Sequence, residues 1–355
     1  MAREFLRFPP RVPGRRVPRR PVTRLLPLLA VPLLAGCGGR TQNTLAPESH
    51  ASKDIASLFW WMMGGAWIGL GLVVVLLLWS WRRLDRRGLG SDAAGEKPGE
   101  RIGWFVVIGG GIVVPVVLLA TLFVISDIFI IKTTEAPAAN ATRMTILVTG
   151  HEWWWQARYL GSKAVTANEI HIPARTPVRV EVRSADVIHS FWVPQLNRTI
   201  DAIPGKTNAI ELYADAPGRY RGQCDEFCGL QHAHMAFYVV ADSPAVFRRW
   251  LAAQARPAAA PVSGAARAGE SVFLDGACSS CHTIRGTSAQ GFVGPDLTHL
   301  ASRTTLGALA IPNTRDDLAH WITDSQAVKP GNQMPDVELS GRRLQELVTY
   351  LEGLH

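Results

Sequence analysis

The thirteen residues QCDEFCGLQHAHM, Gln223 to Met235, hold two cysteines, two histidines and a methionine, in a chain with only five cysteines and six methionines. Cys224 and Cys228 are four apart, His232 is four further on, and Met235 three beyond that. Thiolate and thioether are soft ligands and imidazole suits copper, so a sulfur–nitrogen set with a weak methionine is the donor set of a copper site that moves electrons. Zinc accepts cysteine and histidine but has little use for methionine. One more imidazole must come from outside the loop, and DVIHSFWVP offers His189. Inside it, His234 competes with His232.

A second motif, CSSCH (Cys278 to His282), has the spacing of covalent c-type haem attachment. Its two thiols would add to the haem vinyl groups, and His282 would take the proximal axial position. A thioredoxin-like site would need a βαβ context, and zinc a second cysteine pair; neither accompanies this motif. The sixth ligand has to come from later residues. NQMPD supplies Met334, before a proline, with His299 and His320 as rivals. Methionine–histidine ligation raises a haem potential, which suits a donor to copper.

These ligands need scaffolds of different kinds. MTILVTG, NEIHIP, PVRVEVRS, TNAIELYAD and MAFYVVAD are short, rich in β-branched residues and partly alternating, and turn residues separate them. The pattern predicts an antiparallel β-sandwich over residues 140–250, with the cysteine loop at one end. Ala and Pro dominate residues 251–264, which read as a linker tethering the C-terminal domain close to that loop. In residues 265–355, DDLAHWITD and LSGRRLQELVTYLEGL have apolar residues at helical spacing and predict an all-α domain.

Upstream, Ile55–Trp81 and Ile102–Ser126 carry no charge, and each exceeds the ~20 residues needed to cross a bilayer. They predict a transmembrane hairpin over 55–130, with Arg82, Arg83, Arg86 and Arg87 marking its cytoplasmic turn. Both ends of the hairpin then face outward. Residues 1–36 are an Arg-rich start followed by a short apolar run, the layout of an export signal. LAGC, Leu34 to Cys37, resembles a bacterial lipobox, which implies lipid on Cys37 and leaves residues 37–54 as a tether. The first 36 residues hold eight Arg and one Glu, so they account for most of the formal charge of +8. The remainder is close to neutral and gives no support to a nucleic-acid partner.

Taken in order, the hairpin, GHEWWW, DVIHSFWVP, RTIDAIPGKTN and GRYRGQCDEFCGLQHAHM resemble subunit II of cytochrome c oxidase, from Leu58 to about Trp250. With CSSCH, the chain resembles members carrying a fused C-terminal cytochrome c. The resemblance implies a multi-domain membrane protein: a two-helix transmembrane hairpin, a cupredoxin-like β-sandwich and an all-α class I cytochrome c domain. It implies a bacterial inner membrane, with both outer domains on the periplasmic or outer side. It also implies the binuclear copper centre CuA, with Cys224 and Cys228 as bridging thiolates and His189 and His232 each binding one copper. Met235 and the backbone carbonyl of Glu226 would be weak outer ligands. The Glu226 carboxylate would reach a magnesium ion shared with subunit I.

Trp153 matches the family's exposed aromatic beside CuA, where electrons enter; Trp154 and Trp155 would pack, and His151 and His171 would be structural. GPDL, Gly294 to Leu297, resembles a loop flanking haem, which gives His299 a structural place. The carboxylate that many members carry at a proton-channel mouth falls on Arg101, so Glu100 is not assigned that role. The implied partners are subunits I and III and an external donor such as a soluble cytochrome c or the bc complex. Electrons would pass through haem c and CuA to the haem of subunit I, which reduces oxygen to water and pumps protons. The two spans contain no histidine for an oxygen-reactive haem, so this chain would deliver electrons and not hold the catalytic centre.

Two other readings compete. A haem–copper nitric oxide reductase can also use CuA on the subunit that admits electrons. A copper-delivery chaperone uses C-x-x-x-C with a distant histidine, but has no need of Met235, a membrane hairpin or a haem domain. A quinol-oxidising relative would lack the copper cysteines.

Overall fold

The computed structural model describes residues 42–87, 100–142 and 144–355; the predicted export signal and Cys37 lie outside the described residues. Helix α1 is His50–Arg87, and helix α2 runs over residues 100–134, with wide π-helical turns at Val106–Val113 and Ser126–Ile131. Large apolar side chains such as Trp61, Leu77, Phe105 and Phe123 stand exposed along both. A helix apolar all round buries itself in hydrocarbon, and both exceed the ~20 residues needed to cross it.

The hairpin enters the outer domain without a slack segment. Residues 50–54, expected to end a tether, form the first turn of α1. Ser52 Oγ donates to Gln195 O at 2.7 Å, Glu48 N to the same carbonyl at 2.9 Å, and Ser49 Oγ to Leu196 O. Lys53 pairs with Asp215 at 2.8 Å. At the end of α2, Arg198 Nε donates to Thr134 Oγ1 at 2.9 Å.

Ten strands then form two five-stranded sheets. They are β1 Thr145–His151, β2 Trp154–Tyr159, β3 Val165–Ala167, β4 Glu169–Pro173, β5 Val178–Ser184, β6 His189–Trp192, β7 Ile200–Ala202, β8 Asn208–Leu212, β9 Gly218–Cys224 and β10 Ala236–Asp242. One sheet has the order β3-β2-β1-β5-β8 and the other β4-β10-β9-β6-β7. In β5 every second residue is buried, as an alternating half-buried strand requires. Trp155 fills the centre, meeting Phe191 and Phe237 edge-on at 5.6 Å. The expected sandwich is present but not purely antiparallel: β1 pairs with β5, and β4 with β10, in parallel. Alternation sets which face a strand buries and leaves its neighbours open, so the parallel pairs leave no mark in the sequence.

Helix α3, Pro244–Gln254, packs on the sandwich through Phe247 and Trp250. The expected linker therefore starts inside a helix, and only residues 255–263 connect the domains. They are not slack: Ala258 N donates to Arg285 O at 2.8 Å, His299 Nε2 lies 3.0 Å from Arg256 O, and Arg285 Nη1 donates to Ala255 O at 3.3 Å.

The last domain contains α4 Gly264–Asp275, a short α5 Cys278–Cys281, α6 Arg315–Thr323, α7 Ser325–Val328 and α8 Gly341–Leu351. A two-residue ladder, β11 Thr305–Leu306 with β12 Ile311–Pro312, interrupts the helices. Ser263 caps α4 by accepting from Ala266 N, and Thr314 caps α6 by accepting from Asp317 N. Helices α4 and α8 cross closely around Phe273, Val348 and Tyr350, which are buried. The crossing requires a glycine: a Cβ on Gly269 would lie 2.0 Å from Glu346 O and 2.8 Å from Tyr350 Cβ. Gly269→Ala should therefore destabilise this domain by about 1–3 kcal/mol through overpacking. Thermal unfolding followed by circular dichroism checks this; an unchanged midpoint would mean the helices separate at no cost.

Candidate metal centres

Three neighbouring strand ends build the first site. Cys224 closes β9, His189 opens β6, and Met235 immediately precedes β10. Pairing of Phe191 with Cys224 fixes the register of β6 and β9, bringing His189 beside the loop. The two sulfurs stand 3.8 Å apart; His189 Nδ1 is 3.9 Å from Cys224 Sγ, and His232 Nδ1 is 3.6 Å from Cys228 Sγ. Met235 Sδ, fully buried, lies 3.7 Å from Cys228 Sγ, and the Glu226 carbonyl lies 3.3 Å from Cys224 Sγ. All six expected copper-site residues thus meet at one point. The Glu226 side chain is exposed. His234 is exposed as well, bonded to Gln231 Oε1 at 2.8 Å and outside the cluster.

Two residues of this site were not singled out in the sequence. Asp186 Oδ1 accepts from His189 Nε2 at 2.7 Å, which leaves Nδ1 free to face the sulfurs. The carboxylate also accepts from Glu152 N and Val187 N, both at 2.7 Å. Burial pushes the Asp186 carboxyl up, but these three donors outweigh it and hold it below the usual range. Burial likewise opposes charge on His189, yet Asp186 and Cys224 raise it to about 9 in the metal-free protein. Gly150, across the sandwich, is the second: a Cβ there would lie 2.7 Å from His189 Cδ2. The spacing D-x-x-H in DVIH was the available signal for Asp186; Gly150 left none.

The cysteines titrate as a pair. A hydrogen bond from Cys228 holds the Cys224 thiol well below the usual thiol range, and that bond, burial and the resulting negative charge push Cys228 far above it. Such a pair gives up its second proton to a metal and not to water.

Trp153 departs from expectation. It is buried, not exposed, with its Nε1 donating to Cys228 O at 2.8 Å. Lys329 Nζ of the helical domain donates to Trp153 O at 2.7 Å. Trp154 stacks on His151 at 4.3 Å, and burial lowers the His151 pKa. His171 pairs with Asp242 at 2.7 Å and stacks on Trp250 at 4.0 Å.

The second site lies at the turn after α5. Cys278 and Cys281 are free and half-buried, and burial raises the Cys278 thiol. His282 donates from Nδ1 to Pro295 O at 2.8 Å, which leaves Nε2 as the lone-pair nitrogen. Burial lowers the pKa of this ring, keeping it neutral as a metal ligand must be. Gly294 lies against the ring, where a Cβ would be 2.4 Å from Cε1. Met334 sits in a tightly bonded loop: its N–H donates to Asn332 Oδ1 at 2.7 Å, and its carbonyl accepts from Ser325 Oγ at 2.7 Å. His299 is buried with both ring nitrogens on backbone carbonyls, those of His355 and Arg256, and His320 is exposed on α6.

A cupredoxin-like sandwich with a soft-ligand loop, joined to a C-x-x-C-H domain and anchored by a hairpin, defines a membrane-bound copper and haem redox protein. Residues 161–242 match the family described as cytochrome C oxidase subunit II, periplasmic domain, and residues 266–355 match cytochrome c. The chain is 34% identical over 246 residues to cytochrome c oxidase subunit 2 of Alkalihalophilus pseudofirmus, covering 68% of this chain and 71% of that one. Against the same subunit of Bacillus subtilis it is 26% identical over 355 residues, covering 93% and 97%. The solved periplasmic domain of cytochrome oxidase subunit II from Bradyrhizobium japonicum is 32% identical, covering 31% of this chain and 92% of that one, with a TM-score of 0.31. This chain belongs to the cytochrome c oxidase subunit II family and carries a cytochrome c domain fused at its C-terminal side. It is thus a subunit of an oxidoreductase complex whose partners include subunit I.

The residues fit the two groups the family implies. Three sulfurs and two imidazoles, with the cysteine sulfurs near but unbonded, suit a thiolate-bridged copper pair better than zinc. Two free thiols beside an imidazole with its Nε2 open suit a covalent haem. Asp186→Ala should leave the sandwich folded and lower copper affinity by about 10- to 100-fold, because His189 loses the group that fixes its tautomer. Competition with a chelator measures this; unchanged affinity would show that packing against Gly150 and Trp155 orients the ring alone.

Proposed function

We propose that this chain delivers electrons to subunit I of a haem–copper oxidase that reduces oxygen to water and pumps protons. It would receive them at the cytochrome c domain and pass them on from the copper loop. The observation that carries the reading is the meeting of His189, Cys224, Glu226 O, Cys228, His232 and Met235 at one end of a stiff sandwich, with the haem-type domain packed against that end.

In this reading Cys224, Cys228, His189 and His232 would hold the copper pair, and Met235 and the Glu226 carbonyl would be its weaker donors. Bound there, the copper pair would supply a one-electron store shared between two metals. The residues supply stiffness: three strand ends, the Asp186–His189 bond and the fully buried Met235 keep the donors in place. The exposed Glu226 carboxylate is free to reach a magnesium ion shared with subunit I. Trp153, bonded to Cys228 O beneath the haem domain, stands where electrons would enter. In the haem domain Cys278 and Cys281 would hold the vinyl carbons, His282 Nε2 the proximal side and Met334 the distal side.

The outer domains lie on the periplasmic or outer face of a bacterial inner membrane, with the Arg82–Arg83 end of the hairpin inside. Subunit III completes the complex, and a soluble cytochrome c or the bc complex supplies electrons. Lipid on Cys37 would add a third anchor.

Cys224→Ser in the purified complex should abolish the near-infrared copper band and the mixed-valence signal while haem c keeps its spectrum. A surviving copper band would overturn the assignment. Met334→Ala should leave haem attached through Cys278 and Cys281, lower its potential and remove the weak red band of methionine-ligated ferric haem. Persistence of that band would assign the sixth position to another residue.

A further inference from the structure

Lys329 opens the loop that carries Met334, and it is only 2% exposed. Lysine is almost never fully buried unless paired. An ammonium has three donors, and here each has its own carbonyl: Trp153 O at 2.7 Å, His234 O at 2.9 Å and Gly307 O at 2.9 Å. The first two belong to the copper domain, on either side of the cysteine pair. The third belongs to the haem domain. Burial lowers the lysine to about 7, and the three carbonyls take up all three of its N–H donors.

The next two residues also seat on the copper loop. Gln231 Nε2 donates to Pro330 O at 2.7 Å. Gly331 has φ +80, a left-handed conformation that favours glycine, and it lies against the Leu230 side chain of that loop. Behind this contact, Asn332 Nδ2 donates to Lys329 O at 2.8 Å while its Oδ1 accepts from Met334 N. On the other side, Trp153 is bonded to Cys228 O. A continuous series of bonds therefore runs from the Met334 loop to a cysteine of the copper site, with Lys329 at the joint. A second patch repeats the docking at a distance: buried Glu169 of the sandwich accepts from Thr304 N at 2.7 Å and Thr304 Oγ1 at 2.6 Å.

We infer that Lys329 is the positioning residue that locks the haem domain onto the copper loop, so that the two sites form one fixed unit and not a carrier swinging on a tether. The inference rests on the proposed delivery of electrons through both sites.

The test uses the assembled complex with full-length Lys329→Met, which keeps the length of the side chain and loses all three donors. Hydrogen exchange of the amides at 229–235 should quicken by about tenfold or more, with protease cleavage appearing in 255–263, while β5, α8 and the haem and copper spectra stay as they were. Flash reduction then reads the passage of one electron from ferrous haem to the oxidised copper pair, with no bond or proton change. That passage should slow by about tenfold or more and become dependent on viscosity, because docking now precedes it. Lys329→Cys provides the second variant: aminoethylation of its thiol rebuilds the ammonium and should restore both readouts on the same sample. Unchanged exchange in Lys329→Met, or no restoration on aminoethylation, would overturn the clamp. Quickened exchange in a protein whose unaltered form passes no electron between the sites would leave the clamp standing and remove the proposed electron route.

Discussion

Two sulfurs held 3.8 Å apart without bonding to each other are the constraint on which the outer part of this protein is organised. A disulfide would draw them to about 2.05 Å and leave no donor for metal. Keeping them apart needs a backbone that neither collapses nor spreads. The ends of β6, β9 and β10 supply it, because ladder hydrogen bonds fix their register. The loop between them is short and closes on itself, with Cys224 N donating to Met235 O at 3.0 Å. Gly150 and Asp186 then settle where the His189 ring lies and which nitrogen it turns inward.

The haem-type domain continues this stiffness. Composition suggested a slack connection, yet residues 255–263 run along the domain they introduce and are bonded to it. The interface contains a buried lysine, a buried glutamate and a half-buried arginine, Arg285, that reaches from the haem-type domain to the carbonyls of Lys163 and Gln254 on the sandwich side. Polar groups buried in a contact are costly if the contact opens part-way, so such an interface favours one register.

Ligand chemistry was legible in the sequence because it is local. The C-x-x-x-C loop and the C-x-x-C-H motif each declare themselves within a few residues, and the strand and helix periods place them on their scaffolds. The hidden features depend on contacts across the fold. Gly150 matters only because β1 faces β6 in the opposite sheet, and the parallel pairs are invisible to alternation. Lys329 carries no mark in KPGNQMP, and Trp153 is expected as an exposed aromatic; a contact between the two domains joins them.

The junction between hairpin and sandwich has a mechanical consequence. Ser49, Ser52 and Lys53 at the top of α1, and Thr134 at the top of α2, are bonded directly into the β-domain. Both helices are therefore levers with no hinge at their upper ends. A bilayer that thickens or thins changes the tilt of helices longer than itself, and here a change of tilt carries the whole sandwich with it. The height and lean of the outer domain over the membrane are in this way geared to lipid thickness.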